Sequence, residues 1–383
     1  MNLTKTILIS TLMLTIGCNA QEKPSTEKQT TEAVKKKPLF SLNDYYRNNR
    51  ELDAKVDSVF DALTPKQRLA QMIITSAGEL GKPKSAVRAI TKNEWAGGVL
   101  FLKGEKNDHK TFIAELNSIS SEQGSIPLLF SIDAEPSLYN RRVIGSEITV
   151  PTTLSIQNAE EASAIAGKIN SELKEMGFHQ NYAPVVDLSP DNEAIKDRSF
   201  GSNPDSVLSK SIGFIEGTQS DTLVATAKHF PGHGYVQGDT HKQTVYIDGE
   251  LKELDMYPPL IEAGVISIMV AHVTVENNEK YGTDGLPSTC SPTIVSGLLR
   301  NQLGFEGIIV TDAMNMMAAV NSGESAPLKA ALAGCDMILM PTSEEALLNE
   351  LTAAQDKDPE IKNQFEASVK RILRLKLCLN MMK

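Results

Sequence analysis

Residues 158–187 read NAEEASAIAGKINSELKEMGFHQNYAPVVD. The stretch 158–177 carries apolar residues at helical spacing. It opens on Asn158, an N-cap type, and closes on Gly177, which tolerates the left-handed conformation that ends helices. The segment QNYAPVVD at 180–187 is then a strand-like run that ends on a carboxylate, Asp187. Together they form a helix followed by a strand, with a titratable residue at the strand's C-terminal end.

The same unit recurs outward in both directions. Apolar runs of strand length lie at 70–75 (AQMIIT), 97–102 (GGVLFL), 127–133 (PLLFSID), 180–187, 223–229 (LVATAKH), 266–272 (ISIMVAH), 307–312 (GIIVTD) and 336–340 (DMILM), with helix-length segments between them. Repeated alternation of this kind predicts a parallel sheet closed into a (β/α)8 TIM-type barrel in preference to an open doubly wound sheet. Only the helical patterns SEEALLNELTAAQ and EIKNQFEASVKRILRLKL follow the last run, so a single catalytic domain over 46–383 is expected.

Asp133, Asp187, Lys228, His229, His272 and Asp312 each fall at the C-terminal end of a predicted strand. That end of a barrel carries the chemistry in enzymes of this architecture. A single Asp after a strand reads equally well as a cap for the next helix. Their convergence at one end of the barrel favours an active site.

Composition narrows the partners. The chain has 383 residues, is 41% hydrophobic and carries a net charge of −10, which suits a globular protein and argues against a nucleic-acid partner, since phosphates call for a basic face. The N-terminus, MNLTKTILISTLMLTIGC, has Lys5, an apolar run from Ile7 to Ile16, and Gly17-Cys18. The run is too short to span a bilayer and reads as a signal peptide over 1–17. Gly17-Cys18 resembles a bacterial lipobox, with Thr15 where Leu is usual, which makes Cys18 an expected acylation site; a plain secretory signal is the alternative. The polar segment that follows reads as a flexible tether over 18–45. The expected location is the bacterial cell envelope, as a periplasmic or surface lipoprotein held to the membrane by its anchor alone. Cys290, Cys335 and Cys378 are too scattered for a disulfide framework and read as buried thiols.

Half of the histidines lie in KHFPGHGYVQGDTH, residues 228–241. Pro231, Gly232, Gly234 and Gly238 make this a loop. His229, Asp239 and His241 are residue types that can hold a metal, but no second cluster adds ligands. In an extended segment Asp239 and His241 point the same way, so the carboxylate can orient the imidazole and stabilise its cation, which makes the pair a ready general acid/base.

This loop resembles the signature of glycoside hydrolase family 3, in the β-N-acetylglucosaminidase branch where an Asp-x-His pair replaces the carboxylic acid/base. NYAPVVDLSPDN, DRSFGSNP, MVAHVTVE and LPSTCSPTIVSGLLRNQLGFEGIIVTDAMNM extend the similarity, in family order, across roughly residues 60–350. The resemblance implies a retaining hydrolysis without cofactor or metal, with Asp312 as nucleophile and His241, held by Asp239, as acid/base. It further implies that Asp133, Arg141, Arg198, Lys228 and His229 bind the sugar. The substrate implied is a terminal β-linked N-acetylglucosamine on a glycan or muropeptide, plausible for peptidoglycan fragments at the envelope.

DAEPSLYNRR (133–142) departs from the family, with Pro136 and Ser137 in place of two glycines. Asp133 and Arg141 keep their spacing, yet Pro136 alters the path of the loop, and Arg142 is a substitute for Arg141. Alternative readings are another family 3 activity, a β-glucosidase or an N-acetylglucosaminide phosphorylase, a Schiff-base aldolase on Lys228, and a tethered glycan-binding protein with impaired turnover.

Overall fold

Runs rich in Ile, Val and Leu, apolar on both faces, suit strands buried between a barrel interior and a coat of helices. β1 (Ile73–Ala77), β2 (Gly98–Phe101), β3 (Leu129–Ile132), β4 (Gln180–Asn181), β5 (Val224–Phe230), β6 (Ser267–Val270), β7 (Ile308–Thr311) and β8 (Ile338–Leu339) form one parallel sheet. They pair in chain order from β1 to β7, and β8 returns to β1 with Ile338 opposite Ile73. A bridge between Val310 and Met337 links β7 to β8, where Thr311 N donates to Met337 O at 3.0 Å. The sheet thus closes as the expected (β/α)8 barrel. This computed structural model describes residues 39–188, 192, 194–220, 222–236, 245–316 and 325–382.

Local chemistry moved some boundaries. The run at 70–75 becomes strand only from Ile73, because a capping box between Thr64 and Gln67 starts a helix, Pro65–Ala70, that takes up its first residue. β4 keeps regular pairing only at Gln180 and Asn181; the chain then passes through a cis Ala183–Pro184 peptide and rejoins β5 by a bridge between Val185 and Lys228. The helix Ala159–Met176 has the anticipated ends: Asn158 Oδ1 accepts from Glu161 N at 2.9 Å, and Gly177 sits at φ +97°.

The folded body starts earlier than residue 46. Phe40, Leu42 and Tyr45 are buried, Tyr46 donates its hydroxyl to Val265 O at 2.6 Å, and Arg374 Nε donates to Tyr45 O at 2.6 Å. Residues 40–45 therefore belong to the domain and not to the tether, since apolar side chains in a polar surrounding found a surface to dock on. The helices Glu344–Lys357 and Pro359–Cys378 complete the coat. From the last of them Lys376 reaches into the N-terminal end of the barrel, where its ammonium donates to Gln71 Oε1, Gly97 O and Pro127 O at 2.7 to 2.8 Å, and burial pushes its pKa down to about 7. Cys290, Cys335 and Cys378 are all buried thiols.

Candidate active site

The C-terminal mouth of the barrel holds a cavity of about 490 Å³. Asp133 reaches it one residue past β3, Lys228 and His229 from the end of β5, and Asp312 one residue past β7. Arg198 enters from the short turn Lys196–Arg198, while Arg141 and Arg142 end the helix Pro136–Arg142. Leu100, Leu102, Tyr182 and Met269 supply an apolar lining.

Five of the charged groups alternate in sign along one wall. Arg142 Nη2 lies 3.2 Å from Asp133 Oδ2, Asp133 Oδ1 accepts from Lys228 Nζ at 2.7 Å, and Lys228 Nζ lies 2.5 Å from Glu135 Oε1. Glu135 in turn takes Arg198 in a two-pronged pair, Nε to Oε2 at 2.8 Å and Nη2 to Oε1 at 2.6 Å. Burial opposes ionisation of Asp133, but Lys228, Arg142 and Arg198 outweigh it and hold the carboxyl well below the usual range. Burial likewise opposes the charge on Arg198, and Glu135 more than restores it. Fixed charges of this kind give a polyhydroxylated ring strong, directional hydrogen-bond partners.

A second group of residues sits beneath the histidine loop. Asp187 is buried and accepts three donors, His229 Nδ1 at 2.7 Å, His233 N at 2.8 Å and His229 N at 3.3 Å. With Nδ1 committed to Asp187, His229 keeps a fixed ring orientation at the cavity wall. Burial works against the Asp187 carboxylate, yet His229 and His233 lower its pKa on balance. The ring of His233 lies 5.8 Å from that of His229; burial, then the charge of His229, push its pKa down to about 4. Glu253 fastens the loop from below, with Oε1 accepting from Leu188 N at 2.7 Å and Oε2 from Gly234 N at 2.9 Å. Gly232 has φ +133°, and a Cβ there would stand 2.5 Å from Glu253 Oε2, so the close approach of loop and carboxyl requires glycine.

Asp312 is half-buried. Its N–H donates to Val270 O at 2.9 Å, and its Oδ1 accepts from Ala313 N at 2.8 Å. Asp312 thus presents a carboxylate to the same cavity that Lys228 and Arg198 line.

Residues 64–375 match the family model "Glycosyl hydrolase family 3 N terminal domain". The chain belongs to glycosyl hydrolase family 3. A Vibrio cholerae serotype O1 protein named beta-hexosaminidase is 32% identical to this family 3 chain over 273 residues, covering 69% of it and 81% of the relative. Beta-hexosaminidase LpqI of Mycobacterium tuberculosis is 28% identical over 336 residues, covering 82% and 83% of the two chains. Among solved structures, the family 3 beta-N-acetylglucosaminidase of Paenibacillus sp. str. FPU-7 superposes with a TM-score of 0.76 at 30% identity; the alignment covers 84% of this chain and 63% of that one.

In this family 3 glycoside hydrolase, Asp133, Lys228, His229 and Asp312, expected from their positions at strand ends, and Arg198, expected from the family resemblance, all line the one cavity. Arg141 lines it too but is exposed, and the arginine that pairs with Asp133 is Arg142. Pro136 begins a helix at once, and Leu138, Arg141 and Arg142, at positions i, i+3 and i+4, all lie on its face toward the cavity, where Arg142 is the one that reaches Asp133. Asp239, His241 and Cys18 lie outside the described residues. Sequence reasoning gave no role to Glu135 or Glu253. Glu135 carried a usable signal, since it stands two residues after Asp133 in an extended segment and so points the same way; Glu253, remote from every motif, carried none.

Proposed function

We propose that this chain is a retaining exo-β-N-acetylglucosaminidase that removes terminal β-linked N-acetylglucosamine. Asp312 attacks the anomeric carbon and forms a covalent glycosyl-enzyme; His241, oriented by Asp239, protonates the departing oxygen and then takes a proton from the attacking water. An imidazole suits this double role because its ordinary pKa near 6.5 already lies close to neutral pH, and it adds no second negative charge beside Asp312. Asp133, Lys228, His229, Arg198 and Arg142 hold the ring hydroxyls and the acetamido group. The observation that carries this reading is the convergence of the alternating ion chain and Asp312 on one cavity at the C-terminal mouth of the barrel. Relatives named beta-hexosaminidase and beta-N-acetylglucosaminidase support the acetamido sugar over glucose.

Peptidoglycan fragments are the proposed natural source of the substrate, with Cys18 acylated and residues up to about 39 serving as the tether. Palmitate labelling of the wild type, absent in Cys18→Ala, tests the anchor.

The function itself is tested by p-nitrophenol release from the aryl β-N-acetylglucosaminide and the aryl β-glucoside, with phosphate present and absent. The expected result is turnover of the acetamido sugar to free sugar in either buffer, lost in Asp312→Ala and strongly reduced in His241→Ala. Release of a sugar phosphate only when phosphate is present would replace hydrolysis by phosphorolysis.

A further inference from the structure

His272 stands two residues past β6 at the active-site end of the barrel, fully buried and behind the residues that line the cavity. Its Nε2 lies 3.0 Å from Ala313 O, and its Nδ1 lies 2.8 Å from Thr289 Oγ1. A carbonyl oxygen can only accept, so Nε2 carries a hydrogen and donates it. Ala313 directly follows Asp312. Its N–H donates to Asp312 Oδ1 at 2.8 Å, while its carbonyl accepts both from His272 and from Met316 N at 3.0 Å. Both ends of the Ala313 backbone are thereby committed, one to the carboxylate and the other to the imidazole.

The far side of the ring is equally well fixed. Thr289 is buried in the short turn Ser288–Cys290, where Ser288 Oγ donates to Val273 O at 2.7 Å and Cys335 Sγ approaches Thr289 O at 3.7 Å. A rigid five-membered ring with polar atoms on two edges spans from this turn to the loop after β7.

We propose that His272 is a positioning residue for the nucleophile: it fixes the Ala313 peptide, and through it the direction in which the Asp312 carboxylate faces the anomeric carbon. The proposal rests on the reading of Asp312 as nucleophile. Attack requires the reacting atoms to be held in near-contact geometry, and a displacement of about 1 Å costs on the order of 10²-fold in rate. His272 acts on the nucleophile's placement and not on sugar binding, so its loss should appear in the chemical steps, of which the first is read in isolation below, and not in affinity for the sugar.

The test is the rate of covalent labelling by an N-acetyl-β-glucosaminyl fluoride slowed by a second fluorine on the ring. In that step an ester bond forms between an Asp312 oxygen and the anomeric carbon as fluoride leaves with its electron pair, and no acid is needed to assist it. Mass spectrometry of the labelled wild type locates the ester. A label on any residue other than Asp312 would defeat the nucleophile reading whatever His272 does. With Asp312 labelled, His272→Leu is expected to react about 10²-fold slower, while the Kd for N-acetylglucosamine, measured by calorimetry, changes less than about threefold. His272→Gln places an amide N–H near the Nε2 position and should recover most of the rate. His272→Asn reaches only as far as Nδ1 and should not. Equal rates for the Gln and Asn variants, or a labelling rate for His272→Leu equal to that of the wild type, would overturn the proposal.

Discussion

Lys228 Nζ lies 2.5 Å from Glu135 Oε1 while also donating to Asp133 Oδ1 at 2.7 Å, so one buried ammonium joins two carboxylates. Glu135 is the more deeply enclosed of the two and also holds Arg198 by both prongs. Removing its charge strands Arg198 and leaves Lys228 with Asp133 as its remaining carboxylate in a low-dielectric wall. Glu135→Gln is therefore expected to cost roughly 3–5 kcal/mol of stability, read from urea denaturation, and to weaken binding of N-acetylglucosamine. An unchanged unfolding midpoint would show that Asp133 alone carries the cations.

The two neighbouring arginines make a direct comparison. Arg142 is paired with Asp133 at the cavity, whereas Arg141 is exposed. Arg142→Ala should lower kcat/KM for the aryl N-acetylglucosaminide by about 10²-fold, the value of a charged hydrogen-bonding group of roughly 2–3 kcal/mol. Arg141→Ala should stay within a few-fold of the wild type. The reverse order would mean that substrate draws Arg141 into the place Arg142 holds in the free protein.

Asp187 ties His229 and the base of the histidine loop together through three accepted hydrogen bonds. In Asp187→Asn the side-chain amide offers one acceptor oxygen where the carboxylate offers two, so His229 loses its fixed orientation. Turnover should fall by at least tenfold, with the variant still folded by circular dichroism. The native pKa of Asp187 is lowered, so its stabilising contribution is present above the ordinary Asp range and is lost as the pH falls through the native value. Asp187→Asn should accordingly flatten the acid side of the stability profile.

Glu253 acts in the opposite sense. Burial first, then the charge of Asp187, push its pKa up to about 8, against the pull of the N–H groups of Leu188, Gly234 and Tyr235. A carboxyl that holds its proton in the native state and releases it on unfolding contributes stability below the ordinary Glu value, and this is lost as pH rises through about 8. Melting temperatures measured from about pH 5 to pH 9 should fall with rising pH in the wild type, and less so in Glu253→Gln. Equal slopes in the two proteins would remove Glu253 from the account.

The barrel was legible because its signal is repetitive. Each strand is a short apolar run and six of the eight runs end on a polar residue, so Asp133, Lys228, His229 and Asp312 could be assigned to one mouth before any coordinates. Register at the edges was less legible: the capping box at Thr64 and the docking of Phe40 depend on contacts that periodicity does not encode. Within the site, the proline in DAEPSLYNRR marked the segment as altered, but which of two adjacent arginines on one helix face reaches Asp133 is a matter of side-chain packing that the sequence does not encode. Glu253 was out of reach, because nothing in its local sequence connects it to Gly234 or Leu188; only the fold does.

The most direct test of the double-displacement account is a proton NMR time course of the wild type acting on the aryl β-N-acetylglucosaminide, which identifies the anomer released first. The account predicts β-N-acetylglucosamine, appearing before mutarotation, because two successive inversions through Asp312 restore the starting configuration. First release of the α-anomer would contradict it, since it would mean a single displacement by water with no bond to Asp312.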